Sequence, residues 1–452
     1  MWQLADRRTL LRRGELLVAL AAFALILSGD IAPPSSASTT RSIYVSLSGD
    51  DGNPGTAVLP VSSFNTAYRL AKPGETVIVS DGRYPYQQLQ DDPSKRTTKD
   101  VTFRPAQGAT VSIDSIDFGQ DQTGIRGAKH VTIANMSVGY LRSWSSAEDL
   151  TWRNITGKHF DVIGTKDVTI HGGTFGPCTV PQDDPICVPR IAGAAGVVME
   201  GTTIRGMVST DLAKYHVDGL FLMGSKDVQI RDTKFIGNMV THIRIQNIAA
   251  NAWNNADITI QNSWFDAPLD RDGVKTRADA IDVDNGVPNL LIQNNSFSEL
   301  AGPFFFSDNS GTNTRVIGNL YRNFGCSPGV TYRYNLIIPF SAQTGTSPCG
   351  TTDRVVSTFR YADLRGFDYH LLRGSAALRV VGAGNCAAFD IDGQKRFPGR
   401  KCDAGADQRI QTICHRTGSH PVRRRTLDID PTRWPALRAH GDTPGPCPKK
   451  GR

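Results

Sequence analysis

The sequence predicts an all-β protein, a right-handed single-stranded parallel β-helix, on three observations. A nine-residue phrase recurs, its copies are separated by about one solenoid coil, and a second alternating strand precedes the central copies. The phrase is clearest as DVQIRDTKF from Asp227, DITIQNSWF from Asp257 and NLLIQNNSF from Asn289. Apolar residues at the second and fourth places give one buried strand face, because side chains alternate with period 2. Asp or Asn at the sixth place favours a bend, and an aromatic residue closes the phrase.

Further copies begin at His130, Asp149, Asp167 and Gly196, with a worn one, TRVIGNLYR, from Thr314. The gaps between successive copies are 19, 18, 29, 31, 30, 32 and 25 residues. Stacked coils of that length bury a continuous core. An antiparallel sandwich or barrel would instead punctuate neighbouring strands with hairpin turns, rather than repeat a whole phrase at a long interval. The 44 glycines suit a fold with a bend in every coil, and 452 residues fit one long solenoid as well as two or three ordinary domains.

Taken in order, residues 1–38 read as a signal peptide and linker. Basic residues to Arg13 precede the apolar run from Leu16 to Ser28, followed by small residues at Ser36, Ala37 and Ser38. That run is shorter than the roughly 20 residues a membrane span needs, so cleavage is the expectation and a membrane anchor the alternative. The Arg7–Arg8 pair fits a twin-arginine signal of a bacterial secreted protein. From Arg41 the chain offers the strand IYVS, the turn-rich GDDGNPGT, and a helix in SSFNTAYRLA with Phe64, Ala67, Tyr68 and Ala71 on one face. ETVIVSDGRY then opens the coils, and the helix is placed to cover their open end. The β-helix domain is expected over 41–408 and a Pro-rich basic tail over 409–452.

Eight cysteines, an even count in an exported chain, predict disulfides, with sequence order giving Cys178–Cys187, Cys326–Cys349, Cys386–Cys402 and Cys414–Cys447. No spacing suggests a zinc site. The formal charge of +7 sits largely at the two ends, and no recognition-helix pattern accompanies it. Nucleic acid is therefore not expected as a partner; a polysaccharide or cell-wall polymer is.

The order YVS, the Asp/Asn-Pro-Gly-Thr loop, AKPGETV and DGRY resembles the start of secreted β-helix proteins, including pectate-lyase-like, epimerase-like and polygalacturonase-like polysaccharide enzymes. FDYHLLRGSAAL from Phe367, FDIDGQKRFPG from Phe389 and CDAGADQ from Cys402 resemble their closing segment. The resemblance implies secretion and a parallel β-helix; the scaffold hosts lyases, hydrolases, epimerases and adhesins. HVDGLFLMG is similar to one coil of the polygalacturonase-like hydrolases, with Asp218 and Gly219 matching, while that family's adjacent Asp-Asp pair and Gly-His-Gly are missing.

The strands before the phrases carry the candidate chemistry: HFDVIG, GLFLMG, HIRIQN, AIDVDN and FFFSDN. Alternation turns His159 and Asp161, Phe221, His242, Arg244 and Gln246, Asp282 and Asp284, and Ser307 outward, one above another at about 4.8 Å per coil. His216 and Asp218 lie just before one such strand, Arg277 and Asp279 before another, and Lys275 sits in the charged loop between them. The expected catalytic set is His216, Asp218, His242, Arg244, Asp282 and Asp284, with Asp161, Gln246, Lys275, Arg277 and Asp279 holding substrate. A base, an acid and a cation are what proton abstraction beside a uronate carboxylate needs. This predicts a secreted lyase or epimerase on acidic glycan. A non-catalytic glycan-binding β-helix and a glycoside hydrolase using two carboxylates are the alternatives. No cofactor is certain and calcium is possible: Asp270 and Asp272 in DRDG resemble an incomplete calcium loop, for which a plain turn is the competing reading.

Overall fold

The computed structural model describes residues 41–120, 123–183, 187–247, 254–268, 279–299, 302–307, 311–323, 325–339, 348–396 and 399–409. The leader, the tail, and Cys414 with Cys447 lie outside the described residues. No helix among those described is long and apolar enough to cross a membrane.

The chain is a right-handed parallel β-helix. One sheet holds twelve parallel strands, from Ser42–Val45 through Lys166–His171 to Thr331–Arg333, each from a successive coil. In the central coils Leu220–Met223, Lys226–Arg231 and Lys234–Ile236 supply the three faces in turn. The second-place residues Leu150, Val168, Val197, Val228 and Ile258 stack in register, as the repeat requires. All are buried, and so are the ninth-place rings Phe175, Phe235, Phe265 and Phe297. Phe235, Phe265 and Phe297 stack at 5.0 and 4.7 Å between centroids, a favourable aromatic spacing in a dry core.

The eighth phrase is corrected by one residue. Leu291 pairs with Arg315, which places Asn313 rather than Thr314 in the first position and makes Thr314 and Val316 the buried pair. Pairing of Val101 with Val131 and of Arg315 with Thr331 adds worn copies from Asp100 and Gly329.

The bend at the sixth place is present: Asn135, Asn154, Asp232, Asn262 and Asn294 have φ between 49° and 59°. The first place bends in the same way, at His130, Asp149, Asp167, Asp227, Asp257 and Asn289. Asp and Asn tolerate this left-handed conformation because their short polar side chains bond locally. The phrase is therefore a strand between two bends.

The seventh place builds an internal hydrogen-bond ladder. Thr233 N–H donates to Ser263 Oγ at 3.2 Å, and Ser263 N–H to Asn295 Oδ1 at 2.9 Å. Asn295, Asn319 and Asn335 continue it, each backbone N–H donating at 2.9 Å to the next side chain, until Asp353 Oδ1 ends the row. The amide nitrogens of Asn295, Asn319 and Asn335 donate back to the carbonyls of Ile260, Ile292 and Val316, each at 2.9 Å. Buried backbone groups at a corner are satisfied in this way without a continuous strand.

The predicted helix spans Phe64–Leu70, with Ser63 as its N-cap, and buries Phe64, Ala67 and Tyr68. Phe64 stacks on Phe103 at 5.0 Å. At the other end the chain from Phe359 onward lies over the short-strand face. Phe359, Tyr361, Tyr369, Leu371 and Ala404 form a second core with Trp264, Leu320 and Leu336. Arg396, 2% exposed, donates to the carbonyls of Asp403, Gly405 and Ala406, fixing this segment internally. Three disulfides follow sequence order: Cys178–Cys187, Cys326–Cys349 and Cys386–Cys402.

Candidate functional site

The strands preceding the phrases stack as a parallel sheet. Its outward column runs Asp117, Arg142, Asp161, Arg190, Phe221, Arg244, Asp282, Phe305. Alternation within each strand produces this face: Ile243, Ile245, Ile281 and Val283 are buried, whereas Arg244, Asp282 and Asp284 are only partly covered.

The two ends of the column differ. Arg142 Nε and Nη2 donate to Asp117 at 2.7 and 2.9 Å, and Arg190 holds both oxygens of Asp161 at 2.7 Å. Tyr140 Oη adds a 2.6 Å bond to Asp161, which is 1% exposed. Asp161 was expected to hold substrate; its carboxylate is covered and saturated by Arg190 and Tyr140. This end is a set of closed ion pairs.

Higher up, four of the six expected catalytic residues, Asp218, His216, Arg244 and Asp284, form one connected group, with Asp282 beside it. Asp218, 4% exposed, accepts from Thr241 Oγ1 at 3.1 Å and faces His216 Nδ1 at 3.3 Å. His216 Nε2 lies 3.5 Å from Arg244 Nη1, and Arg244 Nη2 donates to Asp284 at 2.8 Å. Ser307 Oγ completes the series at 3.1 Å from Asp284. Asp282 lies in register with Arg244, and its Oδ1 is buried with no hydrogen-bond partner among the described residues. Gln246 lies between Met223 and Asp284.

The electrostatics follow from this crowding. The hydrogen bond to Asp218 raises the pKa of His216 above the ordinary imidazole value, against the effect of burial. Burial raises Asp282, and the charge of Asp284 adds to it while Arg244 and His216 oppose. Asp279 is pushed up to about 6 by burial and then by Asp282. The site thus combines a polarised imidazole, a guanidinium and two carboxyls that hold their protons to higher pH.

His242 is corrected: it does not face outward. The strand begins only at Ile243, so alternation does not apply one residue earlier, and the ring turns into the corner. It is fully buried near Phe235 and Phe265, with Nε2 donating to Asp266 O at 2.8 Å and Nδ1 accepting from Asn238 at 3.0 Å. His159 is likewise 1% exposed, packed 3.9 Å from the Tyr140 ring. Both nitrogens of His242 are engaged internally. His242→Ala is therefore expected to lower stability by about 1–3 kcal/mol by stranding buried partners, without moving any pH limb of activity. Urea denaturation beside a pH–rate profile checks this, and a shifted limb would return His242 to the site.

Lys275, Arg277, Asp270 and Asp272 lie outside the described residues. Phe305 joins the outward column at 50% exposure, between Phe304 and Phe306, which pack against the core. The alternation that sent Phe304 and Phe306 inward also marks it. In the closing segment, Asp390 Oδ1 accepts from the backbone of Asp392 and Gln394, so DIDG is a turn. Nearby, His370 Nδ1 bonds Asp368 and Nε2 bonds Asp392 at 2.7 Å. Burial opposes the charge on His370, but the hydrogen bond and charge of Asp392, with Asp407 and Asp368, raise its pKa to about 10. One donor atom each from His370, Asp392 and Asp407 fall within 4.8 Å of one another, but both imidazole nitrogens are already bound to carboxylates.

No protein-family model and no curated protein matches the chain. Solved structures with a similar chain path include pectate lyase Pel9A, 16% identical with a TM-score of 0.41, covering 82% of this chain and 96% of that one. The complex of XylC with xylose is 10% identical with a TM-score of 0.41, covering 82% and 99%. The A-module of Azotobacter vinelandii mannuronan C-5 epimerase AlgE6 is 14% identical with a TM-score of 0.28, covering 66% and 95%.

Proposed function

We propose that the protein is an exported enzyme acting on uronate-containing polysaccharide by abstracting the proton next to the uronate carboxylate. The observation that carries this reading is the connected series Asp218–His216–Arg244–Asp284 beside the unpartnered carboxyl of Asp282. Arg244 binds the uronate carboxylate and stabilises the charge that develops on it. His216, neutral and oriented through Nδ1 by Asp218, takes the C5 proton at Nε2. The freed electron pair forms the C4–C5 double bond as the C4–O bond breaks, and the leaving oxygen takes its proton from solvent. Return of a proton to the opposite face of C5 would give epimerisation instead.

The pH dependence follows from His216. Because Asp218 raises its pKa, the imidazole becomes a free base only above the usual range, so the ascending limb of kcat/KM lies on the alkaline side of pH 6.5. Asp218→Asn removes that anion, and the limb is expected to move to lower pH while turnover falls about 10²-fold or more. Absorbance of unsaturated uronate products, recorded against pH, is the measurement. Glycan binding with no turnover by either form would identify a binding module, and new reducing ends without the unsaturated uronate product would identify a hydrolase.

A further inference from the structure

The outward column places two aromatic rings on either side of the charged group. Phe221 stands one rung from Arg244, and Phe305 stands one rung beyond Asp282. The two rings are three rungs apart, about 14 Å at the usual strand spacing. A linear pyranose chain advances by a comparable step per sugar, so a chain lying along the stack would set a ring over each Phe and one or two sugars over Arg244 and Asp282. Phe305 is 50% exposed, one rung from Asp282 on a face whose nearest outward side chains are charged. An exposed ring in such a place is what the C–H face of a sugar covers, burying apolar surface on both partners.

The charges limit what the rest of the chain carries. Arg142 and Arg190 are already neutralised by Asp117 and Asp161. Around Arg244 and His216 stand four carboxyls, Asp218, Asp279, Asp282 and Asp284. Among the described residues this face has no surplus of cations for a run of uronates, and like charges across an interface are penalised.

We infer that the site takes a mixed glycan, in which one backbone uronate at Arg244 is flanked by uncharged sugars stacked on Phe221 and Phe305, in preference to a continuous polyuronate. The inference rests on the reading of Arg244 as the carboxylate ligand proposed above.

The test is calorimetric binding in the Asp218→Asn background, which slows turnover and leaves both rings in place. Three probes are compared: a linear tetrasaccharide with one glucuronate between neutral glucose units, tetragalacturonate, and cellotetraose. The mixed probe is expected to bind at least tenfold more tightly than tetragalacturonate. Phe305→Ala and Phe221→Ala should each weaken it roughly tenfold, the loss of about 1.4 kcal/mol of apolar cover. Phe305→Tyr keeps the flat ring and should retain affinity, which separates lost stacking from misfolding. Equal or tighter binding of tetragalacturonate, or no effect of either alanine, overturns the inference even if the enzyme proves to be a uronate lyase. Ring-dependent binding of the mixed probe by a protein that turns over nothing would leave the inference standing and remove the lyase reading.

Discussion

Arg244→Gln is expected to lower kcat/KM on a uronate-containing glycan by about 10²- to 10³-fold, the usual cost of deleting one preorganised group that stabilises developing charge. The guanidinium is held from both sides, by Asp284 at 2.8 Å and against His216 at 3.5 Å, so it needs little reorganisation when substrate arrives. Much of the loss should fall on kcat, because the carboxylate gains charge only as the proton leaves. Arg244→Lys keeps the positive charge without the planar fork and should recover only part of the rate. Initial rates of unsaturated product formation, with KM and kcat separated, provide the check. A variant that kept full kcat would move the chemistry away from this face.

Asn319→Leu is expected to cost about 3–5 kcal/mol of stability, the largest single effect in the scaffold. Leucine fills nearly the same volume, so the loss is one of hydrogen bonds. The asparagine accepts from Asn295 N–H at 2.9 Å and donates to Ile292 O at 2.9 Å. Both lose a buried partner, at about 1–3 kcal/mol each, and the Asn295 side-chain amide is left with Ile260 O alone. Because each coil is coupled chiefly to its neighbours, the urea transition should also broaden as the stack divides near the lesion. A change below 1 kcal/mol, or an unbroadened transition, would mean that water replaces the amide.

The parts of the molecule legible in the sequence are those that repeat. Val228 and Ile258 fall in register because a period of two fixes which face of a strand is buried, and repetition of the phrase fixes which strands are neighbours. The same logic brought His216, Asp218, Arg244, Asp282 and Asp284 together, although His216 is 66 positions from Asp282. It failed where the chain leaves the strand. His242 stands one residue before Ile243, at a corner whose direction is set by Asn238 and Asp266 rather than by alternation. It was also blind to partners outside the repeat. Arg396 reaches Asn262 across 134 positions, and no local pattern marks that contact. Phe305 was overlooked differently: the alternation that sends Phe304 and Phe306 inward leaves the middle ring outward, and the strand pairing places it one rung from Asp282.

The amide row inside the solenoid has a direction and a stop. Each asparagine can pass the pattern on, since it accepts with one end and donates with the other, whereas Asp353 takes bonds from Asn335 and Gly350 and, ionised, has none to give. Duplicating or excising a whole coil between Thr233 and Asn335 preserves that grammar, and the protein can change its length there. A coil grafted beyond Asp353 would meet a mute terminus, whereas one inserted before it would not.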